Sequence, residues 1–282
     1  VPGGAAERRA ASTVGLSAGW YAFLYYGDDV TRLPVVFDPA VSQRLEQAAA
    51  RAWPAAEVEE IEGWLLRRTE GVDRRRSNSL LPPGDPGHAA RTVELALATA
   101  DELGFSPAVQ VSPAEGHLRL DDALADRGMA ATGPSLVLAG PLAAAGRASG
   151  HVELGPLDAR WVEAWGAVSG IPGTEETAEL VLSQLDGRAR YALARDAVSG
   201  DPLAVALGVL DGEWLGLFSL ATAPAARRRG IASAVVDTLE GWAAAAGATG
   251  TYLQVERDNE PALAFYARRG CHVAHSYHYR SA

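Results

Sequence analysis

Apolar positions change their period along the chain, and the changes mark out elements. From about Val41 the stretch VSQRLEQAAARAW carries them at helical spacing up to Pro54. GWLLRRTEGVDRRRSNSLLPPG then predicts a strand, a turn around Glu70 to Asp73 and a second strand. AARTVELALATADELG predicts an amphipathic helix ending on Gly104, PAVQVS a strand, and LRLDDALADRG a helix closed by Gly128. AATGPSLVLAG predicts a strand pair.

The second half opens with the strand HVELG. Asp158 is placed to cap a helix carrying Trp161 and Trp165. After GIPGT comes a further helix, with Thr174 as its expected N-cap and Glu175 and Glu176 near its positive end. ARYALARD and PLAVALGVL predict strands joined by a turn at Val198 to Asp201. Asp211-Gly212 is a two-residue hairpin signal leading into EWLGLFSLAT. A long helix to Ala246, the strand TYLQV, a helix from about Asn259 to Arg269 and a last strand pair ending in YHYR complete the chain.

Residues 1–40 fit neither half. GWYAFLYYGDD packs Trp20, Tyr21, Phe23, Tyr25 and Tyr26 together, which suits a strand buried on both faces, a packing flap, or a lid over an acceptor pocket. GPLAAAGRASG, Gly140 to Gly150, has the composition of a linker. The closing parts of the halves run parallel. Gly104 matches Gly247, Gln110-Val111 matches Gln254-Val255, and Arg127-Gly128 matches Arg269-Gly270, at offsets of 142 to 144. That register predicts a tandem of one fold: an extension over 1–40, a degenerate copy over 41–148 and a second copy over 149–282.

Composition narrows the function. At 282 residues, 48% apolar, the chain can fill two ordinary cores. No apolar run approaches the roughly 20 residues that cross a bilayer, and no hydrophobic stretch follows the early arginines. No membrane partner and a cytoplasmic location are therefore expected. A net charge of −10 argues against nucleic acid as a partner. Cys271 is the only cysteine, which excludes an intrachain disulfide and a multi-cysteine zinc site. All 25 basic residues are arginine, as in a GC-rich bacterial genome, so the protein has no ε-amine of its own to acylate.

Against that acidity, RRRGIASAVV (Arg227 to Val236) puts three guanidiniums before a glycine and a helix. A strand, a turn and a helix leave the first helical N–H groups unpaired at the positive end of the dipole, which favours phosphate or pyrophosphate. The spacing Arg227-x-x-Gly230-x-Ala232 resembles the Arg/Gln-x-x-Gly-x-Gly/Ala signature of the GNAT family of acyl-CoA-dependent N-acyltransferases. LATAPAARRRGIASAVV is similar to that family's coenzyme strand, loop and helix. LQVERDNEPALAFYARRG is similar to its next strand and helix. The likeness spans about residues 150 to 282, with the first half resembling a degenerate copy as in tandem GNAT proteins.

The resemblance implies an α+β (mixed α/β) fold of two tandem GNAT-like domains, each a twisted, mostly antiparallel mixed sheet flanked by helices. It implies acetyl-CoA as the coenzyme. The amides of Arg228, Arg229, Gly230, Ile231 and Ala232 would lie on its pyrophosphate beside Arg227. Leu220, Ala221 and Thr222 would run along the pantetheine arm, and Asn259 would hold the splayed strand end. Tyr266 would be catalytic, protonating the departing thiolate. Trp161, Trp165, Glu175, Tyr277 and Tyr279 are expected at the acceptor pocket from their position alone.

Departures from the pattern matter. A mid-strand glutamate common in the family falls near Gly216 here, and another common base position holds Gln254. Deprotonation would then go through water, another residue or an amine that arrives neutral; Glu213, Glu256 and His272 are unranked candidates, each also read as a surface or structural residue. Cys271 is expected to be a buried apolar filler. GDPGHA, Gly84 to Ala89, stands where the second copy has RRRGIA; its aspartate repels a pyrophosphate and its proline removes a donor. RRTEGVDRRRSN is either a solvated hairpin tip or a seat for an acidic acceptor or the coenzyme's 3′-phosphate. His272, His275 and His278, three apart on a strand, do not suit zinc, and no metal is expected. The implied activity is acetyl transfer to a primary amine of a small molecule or peptide by direct attack, in a monomer or homodimer. The competing expectation is an acyl-CoA sensor that never frees the thiol.

Overall fold

A computed structural model describes residues 33–84, 89–142, 152–185 and 187–282. The aromatic cluster at 20–26, most of the expected linker and most of GDPGHA lie outside the described residues.

Asp38 starts the first helix, α1 (Pro39–Ala52): its carboxylate accepts from the amides of Ala40 and Val41 at 2.8 and 3.1 Å, with Pro39 where no donor is needed. Then follow β1 (Glu57–Ile61), β2 (Trp64–Arg68), β3 (Ser79–Leu81), α2 (Ala89–Glu102), β4 (Ala108–Val111), α3 (Leu118–Asp126) and β5 (Ala130–Pro141). β1, EVEEI, escapes the sequence pattern because four of its five residues are exposed and no alternation shows. AATGPSLVLAG, expected as a strand pair, is the single strand β5.

The second half contains β6 (Val152–Gly155), α4 (Ala159–Ser169), α5 (Thr174–Leu180), β7 (Ala189–Arg195), β8 (Pro202–Asp211) and β9 (Trp214–Thr222). It continues with α6 (Ile231–Ala245), β10 (Gly250–Glu256), α7 (Glu260–Ala267) and β11 (His272–Ser281). Asp158 caps α4 by accepting from the Trp161 amide at 2.8 Å. Thr174 is not the cap of α5: Gly173, at φ +70°, holds that place and Thr174 is the first helical residue. The expected final strand pair is one strand. Register shifts between Val273 and His275 and between Tyr277 and Tyr279 break its alternation and mimic a turn.

All eleven strands form one mixed sheet, in the order β1-β2-β3-β4-β11-β5-β10-β9-β8-β7-β6. Among the described strands β3 with β4 and β9 with β10 run parallel, and Val35 adds an isolated parallel bridge to Val273. β11 of the second half lies between β4 and β5, and β5 of the first half lies between β11 and β10. Each half thus gives its final strand to the neighbourhood of the other. Gly104 and Gly247, and likewise Gly128 and Gly270, all take positive φ, so the glycines paired in the sequence share a conformation.

Alternation along the strands divides the core. One face packs Val205, Leu207, Tyr252 and Tyr277 with α1, α4 and α5; the other packs Leu136, Leu253 and Val273 with α6 and α7. A third cluster around Trp64, Leu80 and Val93 lies under α2 and α3. Helix α1, from the first half, crosses onto β8, β9 and β11. Its Glu46 hydrogen-bonds fully buried His275 of β11 at 2.6 Å and accepts from Gln110 of β4 at 3.0 Å. Burial pushes the Glu46 carboxyl up, but His275 and its other partners hold it below the usual carboxylate range. No helix among the described residues is long and apolar enough to cross a membrane.

Candidate functional site

The site begins where two parallel strands part. β9 and β10 pair from Trp214–Gly250 to Leu217–Leu253 and no further. Beyond that, β9 follows β8 through a register shift between Val205 and Leu207, close to Ser219, which sits at φ +52°. The strands diverge, and the edge of β9 that β10 leaves is free to pair with something extended.

A cleft of about 670 Å³ opens between them. Leu217 to Leu220 line one wall and Leu253 to Glu256 the other. Asn259, Ala262 and Tyr266 come from the α7 side. Trp53, Trp165, Gly133, Ser135, Tyr277, Tyr279 and the loop Asp73 to Arg76 come from the other, so both halves build it.

Tyr266 is 4% exposed, its ring edge-on to Phe265 with centroids 4.9 Å apart, and burial holds its phenol well above the ordinary range. Cys271, whose amide donates to the Tyr266 carbonyl at 3.1 Å, is buried with its thiol pushed up to about 11, chiefly by desolvation. A thiolate is therefore disfavoured there. Asn259 caps α7, its side-chain oxygen accepting from the Ala262 amide at 3.2 Å.

The arginine knot lies beyond the cleft lining, after Ala221 and Thr222. Arg227, Arg228 and Arg229 are exposed; Arg227 Nε donates to the Thr222 carbonyl at 3.3 Å, and Arg228 takes φ +61°. Gly230 is the N-cap of α6 at φ +78°, and no side chain caps the helix. The Ala234 amide donates to the Gly230 carbonyl at 3.0 Å as the helix begins with Ile231 and Ala232. A Cβ on Gly230 would touch nothing within 4 Å, so the position selects glycine for its conformation. An uncapped fifteen-residue helix opening among three exposed guanidiniums fits a diphosphate, and the free edge of β9 fits an extended arm.

The remaining expected residues divide. Trp165, Tyr277 and Tyr279 line the cleft. Trp161 does not: it is 2% exposed in the core, donating its indole N–H to the Ala192 carbonyl at 3.0 Å and standing edge-on to Tyr191. Glu175 borders a separate depression with Leu157, Asp158 and Val162. Of the three substitute bases only Glu256 lines the cleft. Gly216 has no room for a glutamate, because a Cβ there would lie 2.7 Å from both the Phe218 ring and the Tyr252 hydroxyl.

The sequence pattern did not single out Trp53, Phe218 or Ser219; the 74–76 arginines, expected at a solvated hairpin tip or at a seat for an acidic acceptor or the 3′-phosphate, line the cleft. Arg76 stacks on Trp53 and Phe218, its guanidinium carbon 5.6 and 5.5 Å from their centroids. Arg75 lies 5.8 Å over Tyr279, and Arg74 donates to the Pro172 carbonyl at 3.2 Å. The three histidines part ways: His275 meets Glu46, His278 lies 2.7 Å from Asp121, and His272 is partly buried, which lowers its pKa. Among the described residues no cluster of histidine, cysteine and carboxylate could hold a metal ion.

The family model described as "Probable histone acetyltransferase Rv0428c C-terminal" matches residues 42–280. A GCN5-related N-acetyltransferase from Kribbella flavida superposes with a TM-score of 0.61 over 86% of this chain and 95% of its own, at 15% identity. One from Sphaerobacter thermophilus gives 0.50 over 68% and 66%, at 22% identity. A tandem GNAT protein from the clavulanic acid biosynthesis pathway gives 0.50 over 69% and 68%, at 11% identity. Likeness at these identities is one of fold. No curated protein matches the chain.

Proposed function

The chain belongs to the Rv0428c C-terminal family within the GCN5-related N-acetyltransferases, and from that premise we propose that it transfers acetyl from acetyl-CoA to a primary amine. The observation that carries this is the parting of β9 from β10 with Tyr266 in the opening and the uncapped start of α6 beyond it. Residues 41–148 and 149–282 are read as two copies of the fold, the second holding the coenzyme and the first walling the acceptor side.

In this reading the amides of Arg228 to Ala232, with Arg227 to Arg229 around them, bind the diphosphate. Leu220, Ala221 and Thr222 pair with the pantetheine arm as a further strand would, while Asn259 fixes the start of α7. Bound there, acetyl-CoA supplies the activated carbonyl and a thiolate leaving group. Trp165, Tyr277 and Tyr279 orient the amine, and Glu256 or a water beside it takes the amine's proton.

Tyr266 gives its proton to the leaving sulfur. A phenol held protonated by burial is a poor acid toward a solvated thiolate. Desolvation raises the proton affinity of a buried thiolate as well, as burial does for the Cys271 thiol nearby, and this narrows the gap the proton must cross. Replacing Tyr266 with phenylalanine should lower turnover about 100-fold with little change in acetyl-CoA affinity. Rapid-quench turnover and calorimetric binding check this, and an unchanged rate removes the role.

The sensor alternative draws on one observation: Gly216 and Gln254 stand where carboxylate bases are common in the family. A thiol-release assay over a panel of amines separates the two, since a sensor binds coenzyme and frees none.

A further inference from the structure

In a chain of net charge −10, the acceptor side of the cleft is walled by three consecutive arginines from the first half, Arg74, Arg75 and Arg76. Arg76 lies over the Trp53 and Phe218 rings and hydrogen-bonds the Tyr277 hydroxyl, which holds the guanidinium at the cleft with further N–H donors beyond the one that Tyr277 takes. Arg75 is exposed and lies across Gly133, where a Cβ would fall 2.4 Å from its Nη1, and over the Tyr279 ring.

Neither arginine has a carboxylate within ion-pair distance among the described residues. Asp73 and Glu256 line the same cleft without reaching them. Glu46, the buried carboxylate behind this wall, has one oxygen on His275 and the other on Gln110. Arg67 adds another buried guanidinium, spent on Ser79 and Gln110. Glu46 acts on Arg76 only from a distance, and cations held at a cavity with no ion-paired carboxylate among the described residues suit an external oxyanion, since a guanidinium edge matches the paired oxygens of a carboxylate or phosphate.

We propose that the amine acceptor carries an oxyanion, a carboxylate or phosphate, and that Arg75 and Arg76 hold it while its amine faces Glu256 and Tyr266. The proposal rests on the acetyl-transfer reading. It makes the first half a specificity element and disfavours polycationic tails, which the same arginines repel.

The test is thiol release by the full chain with matched amines: β-alanine against β-alaninamide, O-phosphoethanolamine against ethanolamine, and a lysine-rich peptide. The acid member of at least one pair should exceed its neutral partner about tenfold or more in kcat/KM. Arg75→Gln and Arg76→Gln should each erase the preference and leave the acetyl-CoA Kd unmoved. If Arg76→Gln fails to fold, exposed Arg75 carries the test. Neutral or cationic amines as good as the acids, or a preference that survives both substitutions, overturns the proposal. So does weakened acetyl-CoA binding in the variants with dephospho-acetyl-CoA unaffected, which would give the arginines to the coenzyme's 3′-phosphate. Bound coenzyme with no thiol freed by any amine brings down the transferase reading itself, and this proposal with it.

Discussion

In the proposed reaction Tyr266 would act with a phenol that burial keeps protonated far into the alkaline range. The sign of the consequence is definite. A raised pKa means the donor is present at every ordinary pH, so its ionisation takes no rate away on the basic side. Turnover should rise with pH as the amine loses its proton, and then hold level to at least about pH 10. Glu256→Gln should lower the plateau if that carboxylate receives the amine's proton. A pH series of kcat on both proteins checks this, and a fall near pH 8 to 9 assigns the acid to another group. Tyr266, Asn259 and Leu220 were legible in the sequence because a local motif orders them. Trp161 and Trp165 were not separable, since four residues apart on a helix they share a face. What divides them is the Ala192 carbonyl that takes the Trp161 N–H, and that partner is 31 residues away.

At the scale of elements, the start of α6 depends on a glycine chosen for its backbone. With open space around it, Gly230→Ala tests conformation alone. A left-handed alanine costs about 1 kcal/mol, and the change should lower thermal stability by that amount while weakening acetyl-CoA several-fold as the first amides turn away. Calorimetry and a melt measure the two effects. An intact coenzyme affinity would move the diphosphate away from this turn. Most elements could be read from period and caps, with Asp158 and Asp211-Gly212 marking their boundaries in advance. The strand failures share one cause. β5 and β11 are long strands whose glycines, prolines and bulges interrupt the alternation, and β1 buries too little to show any.

Over the whole molecule, the interleaving of β5 and β11 was not legible, because local pattern fixes which face a strand buries and not which neighbour it chooses. The site inherits this. Its wall from the first half meets its wall from the second only because α1 crosses onto β8, β9 and β11 and because β11 lies beside β5. Thermal or denaturant unfolding should therefore show one transition by fluorescence and circular dichroism alike. Residues 152–282 expressed alone leave edges of β10 and β11 unpaired and should aggregate, with recovery when residues 33–142 are supplied in trans. Two separated transitions, or a stable isolated second half, would contradict this.

The same interleaving sets a timetable for synthesis. When Val111 leaves the ribosome, the neighbour its strand requires has not been translated, and everything from residue 112 to 271 must be made first. At elongation rates of about 5–20 residues per second that interval is on the order of ten seconds, during which the nascent first half presents a bare edge. Chaperone occupancy and codon choice over that stretch thus bear directly on how much of the enzyme matures.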